Sequence, residues 1–125
     1  SYLLLPLWIR LFGLVLSFAS LVYLYWAGKV LAEQFSYTLE IQQEQVLVTT
    51  GPYHRVRHPI YTGTLTFLIF QVMVSDNWLF LVLIILLLPY LIKRVRKEED
   101  MMIEHFGEEY ITYMKRTGRF FPKLR

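Results

Sequence analysis

Hydrophobic positions in this chain come in blocks rather than at intervals. Residues 3–27 carry one charge, Arg10, and residues 60–92 carry one, Asp76. A helix on a water-soluble domain repeats its apolar residues every three or four positions, whereas an unbroken apolar block reads as a segment surrounded by lipid. The first block predicts a span from Leu3 or Pro6 to Trp26, because about 20 helical residues rise about 30 Å, the thickness of the hydrocarbon core. Trp8, Tyr23, Tyr25 and Trp26 stand near its ends, where amphipathic rings settle at the membrane–water interface. The second block is too long for one ordinary span and holds Ser75-Asp76-Asn77 at its centre. Asp76 at mid-bilayer would cost about 3 kcal/mol, and a turn there removes that cost. Two helices are therefore predicted, near 60–74 and 78–96, joined as a tight hairpin. Pro89 deprives the second of one backbone bond and is expected to kink it. Each apolar part is short, about 15 residues or 22 Å, so the helices project beyond the hydrocarbon or the bilayer thins around them.

Between the blocks, Thr38–Ile41 and Val46–Thr50 alternate or run β-branched around Gln42-Gln43-Glu44-Gln45, which predicts a small hairpin or extended strap. After residue 92 the pattern changes. Leu91, Val95, Met102 and Phe106 keep helical spacing, so the last span is expected to leave the membrane as an amphipathic helix. Gly107 stops it. Glu108 and Glu109 then open a short helix to about Thr117, favourably placed at its positive end, and Gly118 and Pro122 end it.

The charges give an independent reading of topology. Of thirteen Lys and Arg, one is Arg10, three lie in 28–59 and nine lie in 93–125, with none in the hairpin turn. With three spans the 28–59 connection and the tail share a side, and the excess of basic residues makes that side cytoplasmic. The fold class predicted is an all-α integral membrane protein of about three transmembrane helices, one span plus a helical hairpin, with a cytoplasmic binding loop and C-terminal helices. At 125 residues the chain makes a single domain, 1–125. Its 55% hydrophobic content agrees with a membrane protein, and the lack of cysteine excludes a disulfide framework or thiolate metal site. The chain begins with Ser rather than Met, so the natural protein is expected to start earlier, and no basic stretch precedes the first apolar run as a cleavable signal would require. Acidic residues interleave with the basic ones of the tail, which favours a membrane-facing role over nucleic-acid binding.

Candidate chemistry concentrates in residues 51–63, GPYHRVRHPIYTG. Pro52 and Pro59 stiffen the backbone and push Gly51 and His58 out of helical geometry. The result is a short cationic loop at the mouth of an apolar body, suited to an anionic or carboxylate-bearing small molecule. His54 and His58 stand four apart, but Pro59 disfavours a helix there and no third ligand follows at motif spacing, so no metal site is predicted. Arg55 and Arg57 suit an anionic group at the interface. On the emerging helix Arg94 and Glu98 share one face, continued by Met101 and His105, and face the loop from the same membrane side.

These pieces together carry a resemblance. Leu47-Val48, Gly51, Tyr53, Arg57-His58-Pro59, Tyr61 and Gly63 are followed, after the hydrophobic hairpin, by Arg94, Glu98-Glu99, Phe106-Gly107, Glu109-Tyr110 and Tyr113. The order and spacing resemble the isoprenylcysteine carboxyl methyltransferases, with the membrane phospholipid N-methyltransferases as wider relatives. The match runs over about 45–122, the expected cofactor-binding catalytic core. The resemblance implies transfer of a methyl group from S-adenosyl-L-methionine to a lipophilic acceptor entering from the bilayer, without a metal. It places cofactor contacts on Gln45, Val46, Leu47, Val48, Tyr53, His58, Pro59, Ile60, Tyr61 and Glu98, and the substrate contact on Arg94. Gln45 stands where the prenylcysteine enzymes usually carry His, and Thr38 where some carry Gln. The membrane implied is a prokaryotic cell membrane or, in a eukaryote, the endoplasmic reticulum.

The residue chemistry fits that implication. The methionine end of the cofactor carries a carboxylate, to which the turn amides after Gly51 and the His58 side chain are expected to donate, and an ammonium, for which Glu98 is the acceptor. Candidate catalytic side chains are Arg57, Arg94 and Glu99. A carboxylate acceptor is already ionised and needs a cation to hold it, a task for Arg94. An amine acceptor needs a base, for which Glu99, His58 or Tyr61 are candidates. Three readings follow: a methyltransferase forming an ester on a prenylated cysteine or similar lipophilic acid, one methylating an amine headgroup such as phosphatidylethanolamine, and a non-catalytic membrane module whose basic face binds lipid or a partner.

Overall fold

The computed structural model describes residues 4–41 and 46–123. Their order is α1 (Leu7–Ile41), a short 3₁₀ turn (Gly51–His54), α2 (Pro59–Ser75), α3 (Leu79–Phe106) and α4 (Glu108–Arg116). No strand occurs among the described residues, and an isolated parallel bridge joins Val56 to Gly118.

Among the described residues, α1 is the one helix long and apolar enough to cross a membrane, with a mean hydropathy of 1.9 over its most apolar window and only 17% of that window buried. A core helix of a soluble protein would be buried along such a stretch. Here the large side chains face outward, among them Leu7, Trp8, Phe12, Val15, Phe18, Tyr25 and Phe35. Exposed apolar surface on this scale suits lipid rather than water. The buried positions of α1 are small: Gly13, Ser17, Ser20 and Ala27. Since lipid tails are as apolar as leucine, helices in a bilayer join by close approach and polar bonds, and α1 meets α2 in this way. Ser20 Oγ lies 3.1 Å from Thr66 Oγ1, and Gln71 Nε2 donates to Ser17 Oγ at 2.9 Å. At Gly63 a Cβ would stand 2.6 Å from Leu24 Cγ, so only glycine allows this approach.

α1 continues well beyond the Trp26 end read from the sequence, and Thr38–Ile41 belong to it rather than to an extended strap. The apolar block ends where Lys29 enters, but a helix can leave the membrane without ending. No proline interrupts 27–41, and Lys29 and Glu33 share one face four residues apart. Val46–Thr49 carry no strand pairing among the described residues. Residues Gln42–Gln45, the centre of the expected strap, lie outside the described residues.

The hairpin forms at the polar triplet. Asp76 takes a left-handed conformation (φ 56°) that caps α2, is buried, and accepts a bond from the Leu5 amide at 3.1 Å. Arg10 Nε donates to the Val74 carbonyl at 2.9 Å, so this end of the bundle is tied on both sides. α3 remains helical through Pro89, keeping Ile84, Leu91, Val95 and Glu99 inward. It stops at Gly107 (φ 60°), and α4 starts with Glu108 and Glu109 and finishes with Lys115 and Arg116, each suited to the helix dipole.

Candidate active site

Pro59 opens α2, so the loop before it is held at a fixed exit from the helix. The loop lies against the outer end of α3 and against the segment after α4. Tyr113 and Tyr110 are buried with Leu47, and Met102, Ile103, Phe106 and Met114 pack around them. From that cluster Tyr113 Oη donates to the Tyr53 carbonyl at 2.5 Å. Burial pushes the phenols of Tyr53 and Tyr110 up to about 12, and that of Tyr113 higher still. All three are neutral packing groups at ordinary pH, not bases, and Tyr113 is also a donor.

Beside this cluster opens a cavity of about 560 Å³. Its walls are Leu31, Val46, Leu47, Val48, Tyr53, Arg57, His58, Ile60, Tyr61, Arg94, Glu98, Met101, Met102, Tyr110 and Tyr113. Glu98 is its carboxylate. Tyr61 Oη donates to both oxygens of Glu98, at 3.1 and 3.0 Å, and Arg94 Nε reaches Oε2 at 3.3 Å. Arg94 also donates to Tyr90 Oη at 3.3 Å and is half exposed, so its charge is screened by solvent. His58 stacks on Tyr61, with ring centroids 5.8 Å apart, and its Nδ1 is 4.0 Å from Glu98 Oε1.

Behind the wall sits Glu99, 2% exposed. Its Oε2 accepts from Arg57 Nε at 2.8 Å and His58 Nε2 at 2.9 Å, and its Oε1 accepts from Arg119 Nη2 at 2.9 Å and Nε at 3.2 Å. Burial alone would raise this carboxyl. The donors from His58, Arg119 and Arg57 overcome that and hold it down at about 2. Arg57 is fixed further by Nη1 bonds to the carbonyls of Met114 (3.1 Å) and Thr117 (2.8 Å). Its Nη2 has no bonding partner among the described residues. Arg57 is among the residues that line the cavity.

The structure thus gathers Val46, Leu47, Val48, Tyr53, Arg57, His58, Ile60, Tyr61, Arg94 and Glu98 around one space. Gln45 lies outside the described residues. Pro59 is buried at the start of α2, and Glu99 stands one layer behind the wall. Gly51 faces α1, where a Cβ would be 2.8 Å from Val30. The turn amides after Gly51 are committed internally, contrary to expectation. Tyr53 N bonds to Thr50 O, Arg55 N and Val56 N to Pro52 O, Arg57 N to Gly118 O and His58 N to Arg119 O. A proline-stiffened 3₁₀ turn uses its own carbonyls as acceptors, so these amides are not free to meet a bound group. Sequence reasoning gave no site role to Leu31, Met101, Met102, Tyr110 or Tyr113, although the two tyrosines stood inside the quoted motif. Arg119 was missed altogether.

Comparison with known proteins gives the family. Residues 8–109 match the phospholipid methyltransferase family, and the chain belongs to it. Among its relatives is the protein-S-isoprenylcysteine O-methyltransferase of Saccharomyces cerevisiae, 37% identical over 70% of this chain and 38% of the relative. Protein-S-isoprenylcysteine O-methyltransferase B of Arabidopsis thaliana is 28% identical over 92% of this chain and 60% of the relative. A nickel-cobalt-cadmium resistance protein, NccN, of Alcaligenes xylosoxydans is 30% identical over 62% of this chain and 37% of its own length. The chain therefore spans less than two thirds of the curated relatives it matches.

Proposed function

We propose that this chain is the catalytic core of an integral membrane, S-adenosyl-L-methionine-dependent methyltransferase. Its acceptor is the carboxylate of a prenylated cysteine or a similar lipophilic acid. The observation that carries the reading is the cavity itself: an apolar and aromatic chamber of about 560 Å³ with Glu98 and Arg57 among the residues of its wall. That size lies within the roughly 300–1,000 Å³ of small-molecule sites.

The donor set fits the zwitterionic end of the cofactor. Glu98 accepts from the ammonium, with Tyr61 steadying its carboxylate, and Arg57 Nη2 donates to the carboxylate. Leu47, Val48, Tyr53 and Ile60 supply surface for the adenosine. When bound, the cofactor supplies a methyl group activated by its sulfonium. The chain's residues then have to align and to exclude water. Arg94, exposed at the cavity edge, holds the acceptor carboxylate through its two-pronged guanidinium.

An amine acceptor is the second reading, because membrane phospholipid methyltransferases share the family. It needs a base, and Glu99 serves poorly in that role, being buried and held at about 2 by its donors. With α1, α2 and the first part of α3 taken as three spans, the distribution of basic residues supports placing the 51–63 loop and the tail on the cytoplasmic side. The membrane is that of a prokaryotic cell or the endoplasmic reticulum.

The test is transfer of labelled methyl from the cofactor to N-acetyl-S-farnesylcysteine by purified protein in lipid. Base treatment then separates the readings: an ester releases volatile methanol and an N-methyl amine does not. Saturable S-adenosylhomocysteine binding without transfer to the farnesylated acid would exclude the first acceptor and leave the amine. No adenosyl-ligand binding at all would favour the non-catalytic module.

A further inference from the structure

We propose that Arg119 is a positioning residue of the cavity, acting through Glu99 on Arg57 and His58. The inference rests on the reading of the cavity as a cofactor site. Neither Arg119 nor Glu99 lines the cavity, whereas Arg57 and His58 do.

The two oxygens of Glu99 divide the work. Oε2 serves the cavity wall, through Arg57 and His58, and Oε1 is bonded by Arg119. A buried carboxylate with one oxygen deprived of its donor must turn or admit water. Either movement carries Arg57 and His58 with it, since both bond the same Glu99 oxygen. The placement of the Arg57 guanidinium is thus set one layer behind the cavity wall.

Arg119 itself is held by a strap after α4. Gly118 N donates to Arg55 O at 3.0 Å, Arg57 N to Gly118 O at 2.9 Å and His58 N to Arg119 O at 3.1 Å. Thr62 Oγ1 donates to Phe120 O at 2.6 Å. Thr117, fully buried, closes the other side of Arg57 through its carbonyl. A Cβ at Gly118 would strike the Phe121 carbonyl, so the strap's tight turn is specific to glycine. The C-terminal segment is therefore built into the loop rather than draped on it, and Arg119 is the point where the strap delivers charge to the site.

S-adenosylhomocysteine titration of the full chain in nanodiscs tests this, with the melting temperature of each variant recorded alongside. Arg119→Ala should weaken binding roughly tenfold, the scale of one lost charge-assisted bond. Arg119→Lys should recover most of it, because a single ammonium can reach Oε1. In a double-mutant cycle, adding Arg119→Ala to Glu99→Gln should cause little further loss, since Arg119 then has no carboxylate to act through. Lys123→Ala, which removes a bond to the Lys115 carbonyl on the same strap, serves as the control and should bind as the wild type does. A merely structural role would lower the fraction of sites without changing the affinity of those that remain. Arg119→Gln replaces the alanine variant if the latter does not stay folded, with the same expectations. Wild-type affinity in the Arg119 variants, or full additivity with Glu99→Gln, overturns the proposal. Absence of binding by the wild type would remove the cofactor reading and this inference with it.

Discussion

Tyr61 and Glu98, on different helices, meet at 3.0 and 3.1 Å, the phenol donating to both carboxylate oxygens. The phenol thereby orients a carboxylate whose other hydrogen-bond donor, Arg94, is half exposed to solvent. If Glu98 receives the cofactor's ammonium, Glu98→Ala removes a charge-assisted bond of about 1.5–3 kcal/mol, or roughly 10- to 100-fold in S-adenosylhomocysteine affinity. Tyr61→Phe keeps the charge and loses only its orientation, so a smaller loss is expected. Calorimetric titration measures both. Equal affinity in Glu98→Ala and wild type would take the ammonium away from Glu98.

Arg94 makes a separable prediction. Arg94→Ala should leave cofactor affinity near normal and reduce turnover of a farnesylated carboxylate substantially, with Arg94→Lys intermediate because an ammonium cannot match the two-pronged geometry. The reading is kinetic: steady-state rates with the carboxylate acceptor beside calorimetry with the cofactor product. Unchanged turnover in Arg94→Ala would remove Arg94 from acceptor binding.

The hairpin was legible because one residue is costly in lipid: Asp76 forces a turn, and the turn is where the chain places it. The exit of α3 was legible from Leu91 and Val95, which both turn inward. The extent of α1 was not, because Lys29 marks where the apolar block ends and leaves the helix free to continue to Ile41. At the site, the loop residues could be gathered because they are close in sequence. Arg119 could not, because the Val56–Gly118 bridge joins positions with no shared period. Glu98 could be picked out by the face it shares with Arg94, whereas the inward turn of its neighbour Glu99 depends on how α3 packs on the loop and on Arg119.

Glu99 gives the pH prediction. Its folded value of about 2 lies below the ordinary carboxylate value of 4.5. A depressed value stabilises the fold above the unfolded-state value and loses that contribution as pH falls toward 2. The contribution is on the order of 3 kcal/mol. Melting temperature in detergent should hold steady from pH 7 to about 5 and then fall. Glu99→Gln should be less stable at pH 7, by about 3–5 kcal/mol for a broken buried pair, and should lose part of the acid dependence. An acid profile identical in Glu99→Gln and wild type would show that other groups govern it.

Gly63 tests the packing that carries the site. A Cβ there would stand 2.6 Å from Leu24 Cγ and 2.7 Å from Leu24 Cδ2, so Gly63→Ala must push α1 and α2 apart. One turn along, the same movement strains the Ser20–Thr66 contact, and at the start of α2 it shifts Ile60 and Tyr61 on the cavity wall. Overpacking of this kind costs about 1–3 kcal/mol. Gly63→Ala should therefore lower the melting temperature and weaken cofactor-product binding together. Leu24→Ala added to Gly63→Ala removes the colliding side chain and should restore part of both, a coupling that independent sites would not show. If Gly63→Ala melts and binds as the wild type does, the close approach of the two helices is not what positions the cavity wall.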